Sequence, residues 1–482
     1  MKGWISKGGS VKDDIEDNLK TLRERSRDLY MGAPVATSAI KTTKTNVVGS
    51  GLVLKASIDE DILKMTKEEA RAWEQHVERE FRLWSESLDC DAERMNNFYA
   101  LQQIAFMSML MSGDSFAVLP LIKRLNMPYD LRVKLIEADR CSNPSDVGQR
   151  KISSGVEYSD WGEVVAYHFL DHHPLASKSG PKTSQRIEKF GSKSGRTNVI
   201  HLMDAERPEQ RRGVPLLAPV IETVKQLARY HNAELDAAVI SAFFTVFIES
   251  PAELEDDVPE GGFIDGNIDE SDRINDSDYN GHQIEMGSGA IVGLADGQKA
   301  TFANPSRPNT GFEGFVNAIC RQIGSAVEIP HELLLKQFTA SYSASRASLL
   351  EAWKMFRMRR THFANDFCQP IYVEFLVEGI ANGRITAPGF FEDPIIKKAY
   401  CGAQWNGPSQ GQLDPLKEVN AAEKRVQSGF STRAREAQEL TSTDFVQNVK
   451  QRIYEETLMK EGGLTINGEA ILEVQELSEQ DS

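Results

Sequence analysis

No run of about 18 uninterrupted apolar residues occurs in this 482-residue sequence, which excludes a membrane-spanning helix. The cysteines Cys90, Cys141, Cys320, Cys368 and Cys401 form no CxxC pair and are odd in number, so neither a disulfide scaffold nor a zinc module is expected. They read as buried thiols of a reduced protein. Positive charge is short: 55 basic against 71 acidic residues give −16, and a non-specific coat for nucleic acid needs the opposite balance. Catalytic signatures are missing as well. There is no GxxxxGK[ST], no GxSxG and no HExxH. The opening MKGWISKGGSVKDD has no apolar core of a secretory signal. What remains is 40% hydrophobic and 26% charged, the balance of a folded soluble chain about three domains long.

The pattern changes several times along the chain. Leu19, Leu22, Leu29 and Tyr30 form a narrow apolar stripe on a charged helix that Gly32 and Pro34 end; its cover is either its own domain or a neighbouring subunit. Trp73, Val77, Phe81 and Trp84 recur at helical spacing, and a second helix spans about 96–111. FAVLPLI, LRVKLIEA and NVIHLM read as strands, and Asp160-Trp161-Gly162 as a hairpin turn. The Ser, Gly and Lys content of 176–196 indicates a mobile loop. A helix of about 30 residues, on the order of 45 Å, is expected over 216–247. Residues 251–285 then carry twelve Asp or Glu against one Arg273, contributing −11 of the total charge. They form either a solvated loop or, given Phe263, Ile264, Ile268, Ile274, Tyr279 and Ile284, a small folded element. Helix returns at 312–326, and a second long helix covers 345–378 with a kink or join at Pro370. From Asp414 the sequence is helical and highly charged.

Few residues suggest chemistry. Glu137 and Asp139 would share one face of a strand, but no metal-binding partners accompany them. Asp171, His172 and His173, or His201 with Asp204, lack a third ligand, so exposed turns are the simpler reading. Gly287, Gly289 and Gly293 miss dinucleotide-binding spacing by one position and open no convincing helix. Lys354, Arg357, Arg359 and Arg360 cluster within seven residues, as a salt-bridged helix face or as a contact to nucleic-acid phosphate or another subunit.

Several stretches in fixed order carry a family resemblance: TLRERSRDLYMGAPVATSAIKTTKTNVVGSGL, GDSFAVLPL, IEADRCSNP, RPEQRRGVPLLAPVIETVKQL, AELDAAVISAFF, EIPHELLLKQFTASYSASRASLLEAW, FCQPIYVEFL and AYCGAQWNGPSQGQLDPLKEV. Over about 19–439 the chain resembles the lambda-type portal proteins of tailed bacteriophages. The resemblance implies an α+β portal fold in a ring, usually of twelve subunits. It assigns an N-terminal arm to 1–50 and a mixed α/β wing to 51–215. Stem helices fall at 216–247 and 306–330, flanking a small α/β clip at 248–305. A tunnel loop is assigned to 331–347, the rest of the wing to 348–412, and a helical crown with an acidic tail to 413–482.

The implied role is structural, without catalysis or cofactors. Double-stranded DNA would pass through the ring at a capsid vertex during packaging and ejection. Lys336, Gln337, Phe338, Tyr342 and Arg346 would face that channel. Glu253, Glu255, Asp256, Asp257, Asp265, Asp269 and Glu270 would present the clip to the terminase motor and later to a head–tail connector protein. Major capsid and scaffold proteins are further implied partners, in the virion and in the host cytoplasm during assembly. A different class, a metal-dependent nucleic-acid-processing enzyme built on Glu137 and Asp139, is the competing reading. A scaffold unrelated to phage is a third.

Overall fold

A computed structural model describes residues 8–176, 183–242, 246–249, 299–302, 311–338, 341–411, 414–441 and 443–462. The acidic clip residues and Gly287, Gly289 and Gly293 lie outside them. The chain forms two compact units, one running to Leu227 and resuming at Val316, the other Ala228–Phe315. The fold is mixed α/β with antiparallel sheets.

The larger unit is built on helices. The stripe of the first long one packs inward within its own chain, since Leu19 and Leu29 of Leu19–Gly32 are buried. That helix ends at Gly32, as expected. Pro34 then starts a second helix, Pro34–Val47, because a proline in the first turn lacks only an N–H that has no intrahelical partner there. Ala36, Ala39, Ile40 and Val47 are fully buried. The Lys67–Ser85 helix opens on a Thr66/Glu69 capping box. Its Phe81 and Trp84 meet Phe98, Phe375 and Trp405 edge-on or tilted, and these rings centre the core. The Phe98–Ser112 helix ends at Gly113, whose φ of 83° suits glycine.

Asp114–Val118 is the middle strand between Lys134–Ile136 and Val199–Met203. A second sheet orders Lys151–Ser153, Val156–Tyr158, Val164–Leu170 and Ser184–Glu188. The last strand falls where a mobile loop was expected. Polar composition conceals it, because a sheet edge needs backbone pairing more than apolar side chains. Five residues of each strand pair there, from Ala166↔Glu188 to Leu170↔Ser184.

Tyr342–Phe363 and Gln369–Ala381 are joined through a π-helical turn, Ala364–Cys368. This is the join expected at Pro370: the wider turn accommodates a ring that cannot donate to the preceding turn. Pro415–Gln427, Arg433–Thr441 and Phe445–Glu461 follow.

The expected helix over 216–247 is shorter. A 3₁₀ turn at Ala218–Val220 leads into Ile221–Ala242, and Val246–Glu249 is a strand paired antiparallel with Lys299–Phe302. The β-branched and aromatic Val246, Phe247 and Ile248 favour strand over helix there. Tyr230 packs on Phe312 and Phe315. Phe312–Ala326 matches the second helix expected.

Candidate functional site

The segment 331–347 is not one continuous loop. Pro330 caps a short helix, His331–Leu335, which fixes the base by burying Leu334. Lys336 follows with φ 55°, the left-handed conformation of a helix end, and the Gln337 N–H reaches the Glu332 carbonyl at 3.0 Å. Ser341 then caps the next helix, accepting from the Ala344 N–H at 3.4 Å. Tyr342 and Arg346 are therefore helical residues, and of the expected loop Lys336, Gln337 and Phe338 lie outside helix among the described residues. The alternation of Ser and Ala after Tyr342 looks like loop composition, but Ser341 is the cap and the small residues after it tolerate helix.

Two supports hold the described stretch leading to Phe338. The Ser38 hydroxyl donates to the Leu334 carbonyl at 2.6 Å. Gly324 lets the turn after its helix fold back, since a Cβ there would sit 2.5 Å from the Ile329 carbonyl oxygen. Lys336, Gln337 and Phe338 are exposed, with Phe338 at 53%. Arg346 is half-buried, and its charge is felt at Asp414, which caps the Pro415–Gln427 helix. There Asp414 is held below the usual carboxylate range, chiefly by the Lys417 side chain and backbone N–H, with a contribution from the Arg346 charge. Lys336 and Arg346 thus stand in different surroundings.

The four clustered basic residues diverge also. Lys354 pairs with Glu351 at 2.6 Å, Arg357 with Glu439 at 3.5 Å and Arg359 with Glu328 at 3.1 Å. Arg360 turns inward. It donates to the carbonyls of Val47 and Asn46 at 3.0 and 2.7 Å and lies over Trp353, and burial pulls its guanidinium down to about 10. The helix spreads these side chains over several faces, and each has an acceptor within this chain.

Glu137 and Asp139 are not on a strand: Lys134–Ile136 ends first, and Asp139 lies in the 3₁₀ turn Ala138–Arg140. Arg27 reaches Asp139 at 2.5 Å and Glu137 at 3.6 Å. Positive side chains at both carboxylates favour a structural role over metal binding. His173 stands 3.6 Å from Asp139. No group of three or more His, Cys, Asp or Glu side chains suited to a metal occurs among the described residues.

Sequence reasoning missed a buried ionic centre. Asp114 is wholly buried and accepts from His201 at 2.9 Å, the Gly213 N–H at 2.6 Å, Arg23 at 2.5 Å and Arg212 at 2.9 Å. Burial by itself would raise the Asp114 carboxyl; the Arg212, His201 and Arg23 contacts overcome this and hold it well below the usual range. Arg212 also donates to the carbonyls of Cys141 and Ala138, at 2.9 and 2.7 Å, and of Ser154 at 2.5 Å. A Cβ on Gly113 or Gly213 would run into the other's backbone, so glycine at both lets the two chain segments touch. The only trace in the sequence is that GDSF and RRGVP both carry the family resemblance. Spacing cannot pair residues 98 apart.

Comparison with known proteins extends this geometry. The family described as "Phage portal protein, lambda family" matches residues 1–360. The portal protein of Escherichia phage N15 is 23% identical over 478 residues, covering 96% of this chain and 89% of that one. Portal protein B of Escherichia phage lambda is also 23% identical, covering 96% and 88%. Among solved structures, a chain in the virion of a native gene transfer agent particle aligns with a TM-score of 0.44 at 15% identity, covering 87% of this chain and 92% of that one.

Proposed function

Because the chain belongs to the lambda family of phage portal proteins, we propose that its copies form a ring at one capsid vertex, most often of twelve, through which double-stranded DNA is packaged and later ejected. The observation that carries this reading is the collinear match of 96% of the chain to the portal proteins of two phages. The protein is a structural component of the virion, a conduit and not a catalyst.

The physical chemistry of the chain is consistent with that role. A conduit must contact DNA without trapping it, since each Lys or Arg on a phosphate adds a salt-dependent binding well. A net charge of −16 disfavours such wells. The exposed stretch 336–338, held at its base by Ser38, leaves Lys336 free to meet phosphates without reading bases. In this proposal the acidic residues Glu253 to Glu270 present a surface to the terminase motor and to the head–tail connector protein. Capsid and scaffold proteins contact the ring during assembly in the host cytoplasm.

Electron microscopy of the purified full chain tests the reading. Rings with a central hole are expected. A monodisperse monomer or a compact dimer at every salt and protein concentration overturns it.

A further inference from the structure

One cavity in the larger unit stands apart in its charge. It measures about 510 Å³ and lies between the start of the Pro34–Val47 helix and the His331–Leu335 helix. Lys41 and Lys336 line it, and no Asp or Glu does. Three further cavities among the described residues all hold carboxylates: Glu328 and Glu351 in one, Glu16 and Asp139 in a second, Glu209 and Asp366 in a third. A hollow whose charges are all positive is unexpected in a chain of −16.

The two lysines share a fixed frame. Ser38 donates to the Leu334 carbonyl at 2.6 Å, which pins one helix to the other. Lys41 comes three residues after Ser38, on the same helix face. Lys336 follows Leu334 by two residues, and buried Leu334 forms part of the cavity floor. Thr37 is held in place by its own hydroxyl, which donates to the Ala33 carbonyl at 3.2 Å.

Both lysines are exposed, and neither has an acceptor among the described residues. Their neighbours differ. Lys44, one turn further along the same helix, reaches Gln103 at 3.5 Å, and Lys354, Arg357 and Arg359 each reach a carboxylate. Two like charges in one hollow repel each other, and a cleft of one sign focuses its field on an approaching counter-ion. The occupant this arrangement attracts is an anion that presents charge to both amines at once.

We infer that Lys41 joins Lys336 in contacting the phosphate backbone of duplex DNA. The pair meets neighbouring phosphates and reads no bases. The frame beneath is pinned, while each ammonium rides on a flexible four-carbon stem, so contacts form and break as the duplex moves past. The inference rests on the conduit reading for its ligand. It adds to that reading a contact from the opening helices, far in sequence from the segment 331–347.

Binding of the full chain to a mixed-sequence duplex, followed by fluorescence anisotropy across a salt series, tests this. The slope of log K against log salt should become shallower by at least about 0.9 in Lys41→Ala, and by a similar amount in Lys336→Ala, because each lost phosphate contact removes that much. Lys41→Arg should restore the slope, and Lys44→Ala should keep it at the wild-type value. All three positions lie away from the core, so the fold is left intact. A Lys41→Ala slope equal to wild type, with Lys336→Ala losing its share, overturns the inference and leaves the conduit reading standing. Wild-type rings that bind no duplex at low salt overturn it as well. A chain that never forms rings, yet loses slope in both alanine variants, overturns the conduit reading and leaves the two-lysine contact standing. Two other occupants are told apart by competition. Inorganic phosphate that saturates the site and is not displaced by duplex marks a small-anion pocket. Polyglutamate that binds more tightly than duplex at the same salt marks a surface for an acidic protein. Either result overturns the inference.

Discussion

Arg212 and Asp114 meet at 2.9 Å in a site closed to solvent, although 98 residues separate them in the chain. The contact fastens the RRGVP segment, just ahead of the Ile221–Ala242 helix, to the middle strand of a sheet. Arg23 brings the first long helix to the same carboxylate. One anion thus holds together three elements far apart in sequence.

Removing one partner should be costly, because it strands a buried charge. We expect Arg212→Ala to destabilise the chain by about 3–5 kcal/mol. The check is the midpoint of urea unfolding followed by tryptophan fluorescence. An unchanged midpoint would mean that water or Arg23 compensates fully.

The same centre sets an acid limit. Burial lowers His201 below the ordinary imidazole range despite the pull of Asp114, helped by the charges of Arg212 and Lys189. The folded chain therefore holds His201 neutral, while the unfolded chain protonates it below about pH 6.5. The unfolded state binds the extra proton, so stability should fall as pH drops from about 7 to 5. The depressed carboxyl of Asp114 acts later, its contribution fading below about pH 4. His201→Gln, which keeps a donor to Asp114, should flatten the upper part of the profile. A wild-type midpoint that stays level between pH 7 and 5 would contradict this.

Much of the architecture was open to inspection in the sequence. The stripe Trp73, Val77, Phe81, Trp84 became the aromatic side of a core helix, and Asp160-Trp161-Gly162 lies between paired strands, because both signals are local. The candidate site was less visible. Polar, small residues after Leu335 suggested one long loop, but Ser341 starts a helix, so Tyr342 and Arg346 moved out of it. The four clustered basic residues were adjacent in number only, because a helix turns neighbours 100° apart. The Asp114 centre depends on contacts between distant segments, which no periodicity records.

Separate surroundings for Lys336 and Arg346 predict separate phenotypes. Lys336→Ala should leave rings intact and lower DNA packaging or retention. Arg346→Ala should act on the C-terminal helices through Asp414, seen as faster proteolysis after 414. Heads of the Lys336 variant that fill and hold DNA as wild type does would remove that residue from the channel.

Gly324→Ala would place a methyl group against the Ile329 carbonyl. Overpacking of this kind costs about 1–3 kcal/mol. The expected outcome is faster deuterium exchange over 327–338 with little change in the 67–112 helices.

The acidic segment should act through its field. Changing Glu255, Asp256 and Asp257 to their amides should weaken terminase binding, and least so at high salt, where the field is already screened. Titration at two salt concentrations reads this directly; equal loss at both would point to shape and not charge.

The Ser38–Leu334 hydrogen bond sets a boundary on how far the front of the chain can be cut back. Proteolytic trimming that stops short of Leu19 spares every buried residue of the two opening long helices. A cut past Ser38 takes away the hydroxyl that holds the Leu334 carbonyl, along with part of the Pro34–Val47 helix. The tolerated zone ends before Glu16, whose buried carboxylate accepts from the Ser153 and Ser154 hydroxyls. Beyond it, shortening one end of the polypeptide unseats a segment nearly three hundred residues away.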